Sequence, residues 1–185
     1  MIIFSGPSGV GKGTICQELF KYKELNLAYS VSMTTREKRQ GEVNGVNYFF
    51  VDLPTFEAVI KNDELLEYAD FVGNYYGTPK SYCFDKINVG KNVLLEIEVQ
   101  GATQVLEKIT DAVSIFLIPP SLEELENRIR GRKSESEEIL QERLEKAADE
   151  LPLQNNYNYV VVNNTVEQAV TEIKAILRQE IAKRS

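Results

Sequence analysis

The segment Gly6-Pro7-Ser8-Gly9-Val10-Gly11-Lys12-Gly13-Thr14 constrains this chain more than any other. It follows a short apolar run, Met1 to Phe4. It leads into a stretch from Lys12 to about Tyr22 in which Ile15, Cys16, Leu19 and Phe20 recur at helical spacing. A glycine-rich loop between a buried strand and a helix is the context that separates a P-loop from a chance match. Glycines let successive backbone N–H groups converge on one oxyanion, and the helix N-terminus adds its partial positive charge. Lys12 is placed to reach β- and γ-phosphates, and Thr14 offers a hydroxyl two residues later. The residues Gly6 to Thr14 are therefore expected to hold a nucleoside triphosphate, which alone says nothing of its fate.

Elsewhere short apolar runs alternate with helical periodicity, the pattern of βαβ units and a mainly parallel α/β sheet. Val93-Leu94-Leu95 and Val113 to Ile118 read as core strands. Pro119-Pro120 stops the second, and Ser121 with Glu124 three residues on reads as a capping box. Tyr159 to Val162 is a last strand, followed by a helix whose Val166, Ala169, Val170, Ile173, Ile176 and Leu177 form one stripe. Between about Ser32 and Thr78 the style changes. Tyr48-Phe49-Phe50-Val51, a helix near Thr55 to Asn62, Leu65-Leu66 and Phe71-Val72 alternate with turn signals at Asn44-Gly45 and Gly73-Asn74. An inserted lobe of short antiparallel strands is expected there. From Glu123 to Glu150 the chain is dense in charge, which by itself predicts a solvated helix pair. The layout is one domain over 1–185: a core of about 1–31, 80–122 and 155–185, a lobe of about 32–79, and a charged segment of about 123–154.

Composition removes several classes of function. With 21 basic and 28 acidic residues the net charge is −7 and the pI about 4.9, which argues against a general nucleic-acid binder. The absence of histidine excludes Ser-His-Asp and Cys-His catalysis and most metallohydrolases. Cys16 and Cys83 fit no zinc or redox spacing and are expected as free thiols in a reducing compartment. A chain of 185 residues buries roughly 70% of its unfolded surface, enough to need no disulfide or metal staple. No apolar run approaches the roughly 18 residues of a membrane span. Met1 to Phe4 is too short for a signal peptide, so a cytoplasmic location is expected.

A second anion site is suggested inside the lobe. Arg36 and Arg39 lie three apart, with Tyr48 following across a turn. Two guanidinium forks and a phenol suit a phosphomonoester dianion, although alone they would read as surface arginines. Taken with Ser32 to Gly41, Glu67-Tyr68-Ala69, Gly73-Asn74-Tyr75-Tyr76-Gly77-Thr78 and Glu96-Ile97-Glu98-Val99-Gln100-Gly101, the chain resembles the guanylate kinase family nearly end to end.

That resemblance implies a P-loop sheet core with an inserted GMP-binding lobe and a helical lid, converting GMP and ATP to GDP and ADP. It implies that Arg36, Arg39, Tyr48 and Tyr76 bind the GMP phosphate and that Ser32, Glu67, Thr78 and Glu98 surround the guanine. Gly6, Pro7, Ser8, Gly9, Val10, Gly11, Lys12, Gly13 and Thr14 would hold ATP, with Asn163 lining the adenine pocket. Lys12 and Arg36, joined by Arg128, Arg132 and Arg143 from the lid, would gather around the transferring phosphoryl group; Arg132 would also pack on the adenine. Arg130 and Lys133 keep a helix-surface reading. Guanine chemistry agrees: its N1–H and N2–H₂ are neighbouring donors that one carboxylate such as Glu67 accepts together, whereas adenine presents a lone pair there. Sites built on such pairing reject the wrong ligand by roughly 10⁴–10⁵. Thr78 is available to donate to O6. Glu98 stands where the family more often carries aspartate. Gly13 occupies the place where P-loops usually put a Mg²⁺-ligating hydroxyl, so Mg²⁺ is expected with ATP through phosphates and water, its direct protein ligands left open.

Two rivals remain at this point. One is another P-loop small-molecule kinase acting on AMP or ribose bisphosphate, disfavoured by Glu67 and Thr78. The other is a non-catalytic guanylate-kinase-like interaction module, disfavoured by the intact loop lysine, glycines and arginines. Small-molecule substrates are the expected partners, with monomer and homo-oligomer both open.

Overall fold

A run of four buried residues, Ile2–Ser5, forms β1 at the centre of the sheet, its apolar side chains packed on both faces and Ser5 Oγ donating to Ile97 O. The computed structural model describes residues 1–71, 73–131 and 137–184. After β1 come α1 (Lys12–Leu19), β2 (Leu27–Tyr29), β3 (Met33–Thr34), β4 (Phe49–Phe50), α2 (Leu53–Lys61), β5 (Leu65–Phe71) and β6 (Asn74–Pro79). They are followed by α3 (Lys80–Asn88), β7 (Asn92–Glu96), α4 (Val99–Lys108), β8 (Val113–Ile118), α5 (Leu122–Arg130), α6 (Glu137–Glu150), β9 (Tyr159–Val162) and α7 (Val166–Ala182).

Five strands make a parallel sheet in the order β2-β7-β1-β8-β9, with Ile3 beside Leu95 on one side of β1 and Phe4 beside Ile115 on the other. The pleat sends alternate side chains to opposite faces. Ile3, Leu95 and Phe116 meet Val99, Ala102 and Val105 of α4. Phe4, Leu94 and Ile115 meet Ile15 and Leu19 of α1 and Ile173 and Leu177 of α7. Apart from Ala102, each of these buried side chains contributes roughly 1.5–3 kcal/mol of transfer free energy. The carboxyl ends of β1 and β7 therefore point the same way and deliver the glycine loop and Glu96-Ile97-Glu98 side by side, at the edge where open α/β sheets bind ligands.

A second sheet, β4-β3-β6-β5, is drawn wholly from Met33–Pro79. Strand β6 pairs antiparallel with β3 and β5, as expected, but β3 and β4 run parallel. The residues between them double back through a turn closed by Gly45 N–H donating to Tyr48 O at 2.8 Å, so β4 re-enters in the same direction. Leu65-Leu66 and Phe71 belong to one continuous strand, and Val72 lies outside the described residues.

Several element ends differ from the sequence expectation for local reasons. Helix α1 stops at Leu19, where Lys21 and Tyr22 switch to i→i−3 bonds. Helix α2 starts at Leu53 because Asp52 caps it, accepting from Thr55 N–H at 2.9 Å, with Pro54 tolerated in the first turn. Ser121 caps α5 as expected, accepting from Glu124 N–H at 3.1 Å, but the Glu124 carboxylate takes Arg128 instead of closing the box. The charged segment is a helix pair, yet it is not wholly solvated: Leu125, Ile129, Leu140 and Ala147 join the core. Among the described residues no helix is long and apolar enough to cross a membrane.

Candidate active site

The loop between β1 and α1 is shaped by glycines that no other residue could replace. Gly6 has φ 145°, and a Cβ on it would lie 2.2 Å from the Leu117 carbonyl oxygen. Gly11, at φ 101°, caps α1. The first turn of α1 carries no acidic residue of its own, so no side chain of the helix competes for its positive end. Lys12 folds back over the loop and donates to Gly6 O at 2.6 Å and Pro7 O at 3.1 Å. Burial lowers its pKa, opposed by Glu96, Glu98 and Glu150. A cleft of about 500 Å³ opens over the loop, walled by Lys12, Gly13, Thr14, Glu96 and Glu98. A Cβ at Gly13 would come 3.4 Å from Glu96 Oε1, so the carboxylate stands beside the missing hydroxyl. Burial raises the Glu96 pKa, with Lys12 and the Cys16 thiol pulling it back. Cys16 and Cys83 are both buried free thiols, as expected.

Asn163 is buried at the far side of the loop, its Nδ2 donating to Val10 O at 2.8 Å. Its Oδ1 has no hydrogen-bond partner among the described residues. Together with Gly9, Thr14, Arg128 and Val166 it lines a recess of about 340 Å³. Arg128 donates to the Asn163 carbonyl at 3.0 Å and to Glu124 at 2.9 Å. A buried acceptor without a partner beside a phosphate loop suits an exocyclic amine of a nucleobase.

A second pocket of about 290 Å³ lies across the shared wall Glu96-Ile97-Glu98. Ser32, Tyr48, Glu67, Tyr76 and Glu98 all line it, although they come from separate strands and turns. Glu67 on β5 is 7% exposed, against the solvated carboxylate that it would make in isolation. Burial raises its pKa, with the Thr78 hydroxyl and Lys108 opposing. Thr78 Oγ1 donates to Glu67 Oε1 at 2.5 Å, so its proton is committed to the carboxylate here rather than aimed at a base oxygen. Tyr48 and Tyr76 meet edge-on at 6.0 Å, and the Arg36 guanidinium lies 5.5 Å from the Tyr48 ring centre.

The arginines depart from the expected grouping. Arg36 is engaged by Glu42 through two parallel bonds of 3.1 and 2.7 Å. Glu42 thus takes from the fork the two donors that a phosphate dianion would use. Arg39 offers its backbone N–H to the same carboxylate at 2.8 Å, but its side chain is exposed and does not line the pocket. Arg143 Nη2 donates to Ser8 Oγ at 2.8 Å, which brings α6 onto the loop. Three residues further along α6, Lys146 donates to Glu98 Oε2 at 2.8 Å and lines the second pocket. Arg130 pairs with Glu126 and Glu137 on the helix surface, as expected. Arg132 and Lys133 lie outside the described residues.

Sequence reasoning missed Glu42 and Lys146. The i, i+3 spacing of Arg143 and Lys146 was the available signal, since it puts both on one helix face. Among the described residues no cluster of three or more acidic or thiol side chains could hold a metal ion. Glu96, beside Gly13 over the phosphate loop, is an oxygen donor that would suit a cation carried on phosphates and water.

A parallel sheet with a glycine cradle at its carboxyl edge, and a polar pocket across one acidic wall, define a P-loop α/β protein with room for two ligands. Comparisons narrow the class. The family model described as guanylate kinase matches residues 1–180, and the chain belongs to that family. A protein named guanylate kinase from Mesoplasma florum is 59% identical over 180 residues, covering 97% of this chain and 61% of the relative. One of the same name from Halalkalibacterium halodurans is 53% identical over 184 residues, covering 100% of this chain and 90% of the relative. The crystal structure of guanylate kinase from Anaplasma phagocytophilum superposes with a TM-score of 0.74 at 37% identity, covering 97% of this chain and 85% of that one. The chain spans about three fifths of the length of the Mesoplasma florum relative.

Proposed function

We propose that this chain transfers the γ-phosphoryl group of ATP to GMP, yielding ADP and GDP. The observation that carries the reading is Glu67, a buried carboxylate in a pocket that shares a wall with the cleft over the phosphate loop. An ionised Glu67 accepts from guanine N1–H and N2–H₂ at once, and Thr78 holds its other face. The GMP phosphate then falls beside Tyr48 and Tyr76, where Arg36 exchanges Glu42 for the dianion. Arg39, exposed here, joins when the lobe closes. Ser32 and Glu98 complete the base side.

On the other side the loop N–H groups of Gly6 to Thr14 and the start of α1 hold the ATP phosphates, and the open acceptor of Asn163 receives the adenine amine. Phosphoryl transfer asks a protein for alignment and charge neutralisation rather than covalent chemistry. Lys12, within the cleft, and Arg143, already on the loop at Ser8, supply that charge, with Arg128 and Arg132 added from the same segment. Bound Mg²⁺ would neutralise phosphate oxygens, held through them and water next to Glu96. Closing 123–154 as a lid over a lobe of about 32–79 expels the water that would otherwise hydrolyse ATP. Two free thiols fit a reducing cytoplasm, and a charge of −7 fits small substrates better than a polyanion.

The test is a panel of acceptors with ATP and magnesium: GMP, AMP, UMP and ribose bisphosphate. GMP is expected to exceed AMP by at least about 10³ in kcat/KM. A preference for any other acceptor would overturn the assignment.

A further inference from the structure

The carboxylate of Glu67 is bordered by residues to which the proposed reaction has so far given no part. Glu67 sits at an irregularity in the second sheet: the pairing steps from Leu65 opposite Pro79 to Tyr68 opposite Gly77, so one extra residue is accommodated on β5. A bulge of this kind re-aims the side chains within it. Strand β5 is also the edge of its sheet, with outward backbone groups in need of partners. Helix α4 lies against that edge and presents Gly101, Gln104 and Lys108, spaced so that all three share one helix face.

Each of the three meets the bulge. Gln104 Oε1 accepts from Tyr68 N–H at 3.2 Å, and its Nε2 donates to Tyr68 O at 2.9 Å, which fastens the residue after Glu67 through both backbone groups. Lys108 Nζ donates to Leu65 O at 3.1 Å on the other side of the bulge. Gly101 stands directly against the carboxylate, where an added Cβ would lie 2.7 Å from Glu67 Oε2. Thr78 holds Oε1, so the absence of a side chain at Gly101 sets where Oε2 can sit.

We propose that Gly101 and Gln104 are positioning residues for guanine selection: Gln104 fixes the β5 edge beside Glu67, and Gly101 leaves the space into which the carboxylate is turned. This rests on the reading of Glu67 as the acceptor for guanine N1–H and N2–H₂. The atom a methyl at 101 would meet is the far end of a flexible side chain, whereas alanine is a better helix former than glycine. Gly101→Ala therefore displaces the carboxylate without unfolding α4. Gln104→Met keeps length and burial but removes both bonds to Tyr68.

The experiment measures kcat and KM for GMP and for IMP, which lacks the 2-amino group, at saturating ATP, with melting temperatures alongside. Glu67→Gln is run in parallel. Gly101→Ala and Gln104→Met should each raise KM for GMP about tenfold or more, the loss of one hydrogen bond to a charged group. Their KM for IMP should move much less and kcat should stay within about threefold, with the melting temperature of Gly101→Ala not reduced. Should Gln104→Met fail to fold, Gly101→Ala carries the test. If Gly101→Ala keeps the parent preference for GMP over IMP while Glu67→Gln loses it, the positioning role is wrong and the reading of Glu67 stands. If Glu67→Gln itself keeps that preference, the reading falls and the proposal with it.

Discussion

At Glu67 the proposed guanine contact is set against stability. Its burial raises the carboxyl pKa, because removing a carboxylate from water disfavours the charge, and the Thr78 hydroxyl only partly offsets this. The sign follows from linkage. A carboxyl raised above its unfolded value of 4.5 makes no unfavourable contribution below that value, and it destabilises the fold as pH rises through the native pKa. Glu67→Gln should thus melt higher than the parent at neutral pH, with the difference closing toward about pH 4, while kcat/KM for GMP drops by about 10² or more. Thermal melts across pH together with steady-state rates check both halves. The protonated carboxyl would face a guanine donor with a donor, so kcat/KM for GMP should fall on the acid side at a pH above the ordinary glutamate range. ATP affinity should hold there, and a pH profile with an acid limb at or below pH 4.5 would contradict the raised pKa. None of this burial was legible in Glu67 itself; only its place in the Glu67-Tyr68-Ala69 block singled it out.

At the scale of elements, what could be read was what is buried on both faces. Strand β8 was predicted to the residue because six consecutive apolar or small residues ended by Pro119-Pro120 admit one reading. Strand β2 was missed: it has three residues on a sheet edge and no burial pattern to betray it. Helix α4 was missed as well, since its inward side is built from Val99, Ala102 and Val105, too small to stand out against neighbouring polar residues. Helix α6 was foreseen as solvated charge, but its contacts to Ser8 and Glu98 through Arg143 and Lys146 required the third dimension. Those two contacts differ in weight. Lys146 and Glu98 are each about half exposed, at 49% and 57%, so the pair is worth no more than about 1 kcal/mol and is screened by salt. Lys146→Met should lower kcat/KM for GMP only about threefold and flatten its salt dependence. Arg143→Ala should lower kcat by about 10² or more with little change in ATP affinity, as a charge felt chiefly in the transition state does. Near-normal turnover in that variant would remove Arg143 from the proposed mechanism.

Over the whole molecule, the parallel sheet, the phosphate loop and the inserted second sheet were all legible, because each depends on periodicity or on a motif with a mechanism. Resemblance put Glu67 and Thr78, eleven positions apart in sequence, around one base, but not the hydrogen bond that joins them across β5 and β6. It could not supply the engagement of Arg36 by Glu42, a contact of this conformation. Two pockets share the wall Glu96-Ile97-Glu98, and the proposed reaction passes a phosphoryl group from one to the other without meeting water. The most direct measurement supplies γ-labelled ATP, magnesium and GMP to the purified protein and follows the label. Label in the β-phosphate of GDP, with little free phosphate, is the predicted result. Label that remains in ATP, or appears only as inorganic phosphate, would contradict it.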